Sequence, residues 1–292
     1  MKSYESIFKL NKNINTLIVG DSHTMTSLDP EIIEHSKNVS FNSENYFFSY
    51  YKLKHFLFYN SHIKVVILGF APQNISKMSS EMFFFHEPTE KQLFDRYYSI
   101  LDYEGKIKIK SFRKYFIISF LKNDLGIPIE IYKNELLIKR VLNKKIIESD
   151  YNIIGMFYNS DKSNVNNEDV NLKIKEYFYN ENGIYPGKSD FNIEYLYNIM
   201  DICSKNGIKV YLYRSPVFPL YKELIPKECL RDYEQVKQNI LQNFKNAQFI
   251  EFNNFKIDTL YFGDSDHLNV LGAKVVSNMM NDVIKESINI KF

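Results

Sequence analysis

Short apolar runs recur toward both ends of the chain, each closed by a polar turn and followed by a segment with helical spacing. Residues 15–20 (NTLIVG) form a strand-sized apolar run, followed by the turn GDSHTMTSLDP and a helix-like stretch, EIIEHS, at 31–36. NVSF at 38–41 predicts a second strand, and the aromatic-rich ENYFFSYYKLKHFLFYN at 44–60 predicts a long helix. KVVILGF at 64–70 predicts a third strand, closed by APQN. The rhythm returns with DFNIEYLYNIMDICSKN at 190–206, a helix with Gly207 as its stop. IKVYLYRSP at 208–216 and AQFIEF at 247–252 predict two more strands, with a helix over roughly 230–245 between them. The last helix starts near Asn269 and runs through LGAKVVSNMMNDVIKES.

Strands that alternate with helices require crossover connections and so a parallel sheet. The apolar runs lack strict alternation, as expected of strands covered on both faces. The expectation is an α/β fold: a doubly wound sandwich of about five parallel strands. Residues 75–189 interrupt it. They hold EMFFFHEPTEKQLFDRYYSI, a basic stretch around KIKIKSFRKYF and a polar tract, NSDKSNVNNEDVN, at 159–171. That is too long for an ordinary connection. The predicted organisation is a core of residues 1–74 and 190–292, with 75–189 as an inserted subdomain or lid.

At 292 residues the chain can bury a substantial core, to which 22 Tyr and 24 Phe contribute. A formal charge of +2 gives no case for nucleic acid or an anionic membrane as partner. Cys203 and Cys229 make no disulfide framework and have no ligand-like spacing to a histidine. No apolar run reaches signal-peptide or membrane-spanning length, so the expectation is a cytoplasmic protein without membrane insertion.

In open α/β sheets, ligands sit beyond the carboxyl ends of the strands. Three polar turns fall there: Gly20-Asp21-Ser22-His23, Gly69 to Asn74, and Asp264 to His267. A serine hydroxyl needs a base within hydrogen-bond reach, and the base needs an orienting partner. Ser22 is the candidate nucleophile, His267 the candidate base and Asp264 the candidate orienter. Asp266 is an alternative orienter with poorer spacing, because adjacent side chains diverge. Candidate donors to a developing oxyanion are the Ser22 backbone N–H, a backbone N–H near Ser43, and the Asn74 side-chain amide. His23 is a candidate substrate contact or a structural histidine. Arg214 is a candidate anion ligand or a surface ion pair. Asp21, His23, Asp264 and His267 have donor types a metal accepts, but nothing in their spacing demands one. No cofactor is implied.

The opening LIVGDSH and the closing GDSDHLNVLGAKVVS together resemble the first and last blocks of the SGNH (GDSL-type) hydrolase superfamily. The resemblance covers about 1–75 and 190–292. It implies a flavodoxin-like sandwich and ester or acyl chemistry on Ser22, with Asp264 and His267 as the relay. Carbohydrate or small acyl-ester substrates follow from it, with acetyl-CoA among candidate acyl donors. The style of GDSH and YFFSYYKLK is similar to bacterial members linked to surface polysaccharides.

Two blocks depart from the superfamily pattern. The second usually offers a Gly to the oxyanion hole, whereas Ser43, Glu44 and Asn45 stand here. The third is usually G-x-N-D, whereas GFAPQN places Asn74 on a longer turn without the Asp. Those departures support the alternative of a non-catalytic carbohydrate-binding or scaffold protein that keeps the fold.

Overall fold

A computed structural model of the chain describes residues 7–79, 96–108, 155–159, 163, 165–252 and 258–289. Its centre is a five-stranded sheet of β1 (Thr16–Val19), β2 (Ser36–Asn38), β3 (Val65–Gly69), β4 (Lys209–Arg214) and β5 (Ala247–Glu251). Every pairing is parallel and the order is β2-β1-β3-β4-β5. β1 and β3 are buried along their whole length, which explains their unbroken apolar runs. Leu17, Val19, Val66, Leu68, Val210 and Leu212 join one core cluster; Ile18, Ile67, Tyr211 and Tyr213 join another. Helices cover both faces, giving a three-layer, flavodoxin-like α/β sandwich.

The helices are α1 (Ser22–Ser27), α2 (Tyr46–Tyr59), α3 (Pro72–Ile75), α4 (Tyr103–Lys108), α5 (Asn167–Phe178), α6 (Asp190–Lys205), α7 (Pro219–Leu224), α8 (Lys227–Asn243) and α9 (Val270–Asn289). α2, α6 and α8 pack on the first face, and α9 on the second. α6 ends as its sequence predicts, with Gly207 at φ 64° closing the last turn. Among the described residues, no helix is long and apolar enough to cross a membrane.

The first crossover differs from the sequence expectation. The helix lies at Ser22–Ser27, beginning on the candidate nucleophile, while 31–35 form turns. Asp21 caps α1 by accepting from the His23 N–H at 3.0 Å. EIIEHS manages only turns, because Asp29 accepts from the Glu31 N–H at 2.9 Å and His35 takes φ 58°. That left-handed residue turns the chain into β2, which therefore starts at Ser36, earlier than the expected 38–41.

The long segment after β3 leaves and returns at one place. Ser76 and Lys188 form an isolated antiparallel bridge, and the Ser189 N–H donates to Ile75 O at 2.8 Å. Within the excursion, Tyr97, Tyr98, Ile100 and Leu101 enter the core cluster of α2. The polar tract at 159–171 is in part the start of α5, capped by Asn166 with Glu168 and Asp169 in its first turn. α5 buries Val170, Ile174 and Phe178 against Val217, Tyr221, Ile225 and Cys229. The basic stretch at 106–116 lies mostly outside the described residues.

Candidate active site

The sheet order reverses at β1, so the crevice at the carboxyl ends of β1 and β3 is where this fold places ligands. Ser22 stands at that edge as the first residue of α1. α1 can lie close because Gly20 and Gly69 have no side chains. A Cβ on either would collide with Thr24 Oγ1. Asp21 ties the edge together: one carboxylate oxygen caps α1, and the other accepts from Asn74 Nδ2 at 2.7 Å.

The turn between β5 and α9 supplies the other half. Asp264 Oδ1 accepts from the backbone N–H groups of Asp266, at 3.1 Å, and His267, at 2.8 Å. The turn is closed by the Phe262–Leu268 bridge and by the Gly263 N–H donating to His267 O at 2.9 Å. This fixes the His267 ring. Its Nδ1 faces both Asp264 oxygens at 2.9 and 3.0 Å, and its Nε2 lies 2.7 Å from Ser22 Oγ. A carboxylate at Nδ1 demands a proton there, so in the neutral ring Nε2 is the acceptor for the Ser22 hydroxyl.

Asp266 has a different place. It is fully buried, with Oδ1 3.2 Å from His267 Nδ1 and Oδ2 3.2 Å from His23 Nε2. Neither contact is a well-aligned hydrogen bond, yet at 3.2 Å each ring favours the carboxylate both by charge and by a bent hydrogen bond. Lys173 Nζ on α5 adds an ammonium at 3.8 Å from Oδ1. Burial works against the His267 charge, but the Asp266 charge and the Asp264 hydrogen bond outweigh it and push the pKa up to about 10. Burial also works against the Asp266 charge, and His267 and His23 hold that carboxyl well below the usual carboxylate range. His23, His267 and Asp266 bring metal-ligand atoms within 4.8 Å of one another. The His267 ring is already placed between Ser22 Oγ and Asp264, and we assign the group no metal.

His23 is buried, its ring centroid 4.8 Å from that of His267, so it faces the base and the Asp266 carboxylate. Arg214 ends β4 with its guanidinium 3.4 Å from Glu251 and 5.5 Å from the Tyr233 ring centroid. The pair is largely buried, not the surface ion pair of the sequence reading. Asn74 reaches the edge, but its amide nitrogen is spent on Asp21 and its oxygen accepts from the Ala71 N–H at 2.8 Å.

Ser43 follows β2 and adopts φ 60°. This is the left-handed conformation that glycine takes freely and other residues hold at a cost of roughly 1–3 kcal/mol. The next residue anchors it. Glu44 is buried, accepts from Ser49 Oγ at 2.6 Å, and is paired with Lys52 Nζ and the Tyr97 hydroxyl. Lys52 also donates to Val39 O.

Sequence reasoning missed the contributions of α5. Asp169 accepts from the Ser265 N–H at 2.9 Å and Lys173 faces Asp266, so the excursion touches the His267 turn directly. Asp169 lay in the polar tract at 159–171 and Lys173 just beyond it. Nothing in their spacing pointed to a turn some 100 residues away.

In comparisons with known proteins, the model of an uncharacterised family matches residues 163–289, less than half of the chain. The match runs from α5 through α9 and includes Asp264 and His267 but not Ser22. No curated protein matches the chain.

Proposed function

We propose that the chain is an SGNH-type serine ester hydrolase or O-acyltransferase acting on an acyl ester, with an acetyl ester of a carbohydrate as the substrate class. The observation that carries this reading is the line Ser22 Oγ–His267 Nε2–Asp264, with contacts of 2.7 Å and 2.9 Å. Neutral His267 takes the Ser22 proton as Oγ attacks the acyl carbonyl. The tetrahedral oxyanion draws on the Ser22 and Ser43 backbone N–H groups, with Asn74 joining if its amide leaves Asp21. Collapse expels the alkoxide, which takes the proton from His267 Nε2, and leaves an acyl group on Ser22. Water, or a sugar hydroxyl, then gives its proton to His267 as its oxygen attacks the acyl carbon, and Ser22 Oγ leaves, taking that proton back from His267 Nε2.

The second reading is a carbohydrate-binding or scaffold protein with this fold. It is favoured by one observation: the Asn74 amide is turned into Asp21. Incubation with p-nitrophenyl acetate separates the two. Release of nitrophenolate by the wild type but not by Ser22→Ala supports the enzyme; equal background rates support the binding protein.

A further inference from the structure

The charged groups around His267 come from every element packed against it. Asp264 and Asp266 share its turn. His23 comes from α1, with Asp21 at the cap of that helix. Lys173 and Tyr177 come from α5 and Tyr221 from α7, and both phenols feel the Asp266 charge and stay protonated. Asp169 and Glu176 act on Lys173 from α5 itself.

Within this group the two aspartates divide the work. Asp264 is partly exposed and makes aligned hydrogen bonds to the ring and to two backbone N–H groups. That is an orienting role, and it consumes the carboxylate's directional capacity. Asp266 has no aligned donor among the described residues and no exposure, yet sits 3.2 Å from each of two imidazoles. A buried carboxylate in that state is costly unless cations face it. The groups that face it are the His267 and His23 rings and the Lys173 ammonium.

We propose that Asp266 is a positioning residue that sets the proton affinity of His267 through its buried charge, and that His23 and Lys173 hold that charge in check. The proposal rests on the reading of His267 as the base. Asp266 favours the imidazolium that forms when Ser22 gives up its proton. The same charge keeps the resting ring protonated, so the device trades availability of the base for stabilisation of the charged intermediate. Lys173 tunes the compromise from α5, which couples the chemistry to the excursion after β3.

The test is a proton NMR titration of the His267 ring, which needs no turnover. The chain has six histidines, and His267→Gln identifies the resonance by its loss. In the wild type the ring should titrate well above 6.5, its ordinary value. Asp266→Asn keeps the side-chain shape and should lower the midpoint by roughly 1–3 units, the range for an opposite charge within 4–6 Å. Lys173→Met, at a side chain that is only 22% exposed, should raise it. Opposite signs are the expected result. An unmoved midpoint in Asp266→Asn, or two shifts of the same sign, overturns the proposal. If Asp266→Asn does not fold, Lys173→Met decides alone: a rise supports the proposal and a fall or no change overturns it. Nitrophenolate release measured in parallel keeps the two readings apart. Opposite shifts without Ser22-dependent turnover sink only the enzyme reading; turnover with an unmoved midpoint in Asp266→Asn sinks only this one.

Discussion

Ser22 and His267 are separated by 245 positions in the chain and by 2.7 Å in space. Two independent turns produce that meeting, one after β1 and one after β5, because a parallel sheet gathers the carboxyl ends of its strands on one edge. Groups that act as one proton-transfer unit are not additive on mutation. Ser22→Ala and His267→Ala should each abolish acylation of an activated ester, and the double variant should be no worse than either. Asp264→Asn should cost on the order of 10⁴ in turnover, by analogy with the serine-protease relay, since it stabilises the wrong tautomer. Rates within tenfold of wild type for Asp264→Asn would show that the ring needs no such partner.

Activity and stability should move in opposite directions with pH. His267 gains proton affinity on folding, from 6.5 to about 10. Its contribution to stability is therefore fully present below pH 6.5 and is lost as pH rises toward 10. Asp266 has the other sign: its contribution is present above its ordinary 3.8 and is lost as pH falls through its lower folded value. Both describe the same contact and count once. The urea midpoint should fall between about pH 7 and pH 10, while the acylation rate climbs with the neutral fraction of His267. A rate that levels off near neutrality contradicts this account.

The Ser43 turn depends on a buried ion pair. Lys52 and Glu44 are both fully removed from solvent at their side chains. Lys52→Met strands the Glu44 charge and should cost about 3–5 kcal/mol in urea unfolding. Adding Glu44→Gln should recover part of the loss, since the stranded charge disappears. Equal stability of Lys52→Met and wild type would show that the Ser43 turn does not depend on this pair.

The seating of α1 depends on bare backbone. Gly69→Ala places a methyl against Thr24 Oγ1. We expect a loss of about 1–3 kcal/mol, the range for overpacking, and a larger loss of activity because Ser22 rides on the same helix. Thr24→Ala in the same chain should restore both. Differential unfolding and nitrophenolate release read the two effects.

The sheet was legible chiefly through β1, β3 and β4, which are apolar runs buried along most of their length, whereas β2 is the polar Ser36–Asn38 and β5 is only partly buried. The meeting of Ser22, Asp264 and His267 was legible for the same reason, since three polar turns at strand ends must share an edge. EIIEHS misled because its apolar spacing is helical, while Asp29 and the left-handed His35 stop it after turns. The Asp266–His23 contact was hidden because burial of an aspartate cannot be read from a polar turn. Lys173 and Asp169 were hidden because their partners lie on another element.

The central claim is that Ser22 is an activated nucleophile, and covalent labelling tests it most directly. The purified protein would be treated with a fluorophosphonate, and the adduct located by peptide mass spectrometry. The account predicts one adduct, on Ser22, absent from Ser22→Ala and from His267→Ala. A folded wild-type protein that takes no label, or takes it on another serine, would contradict the account.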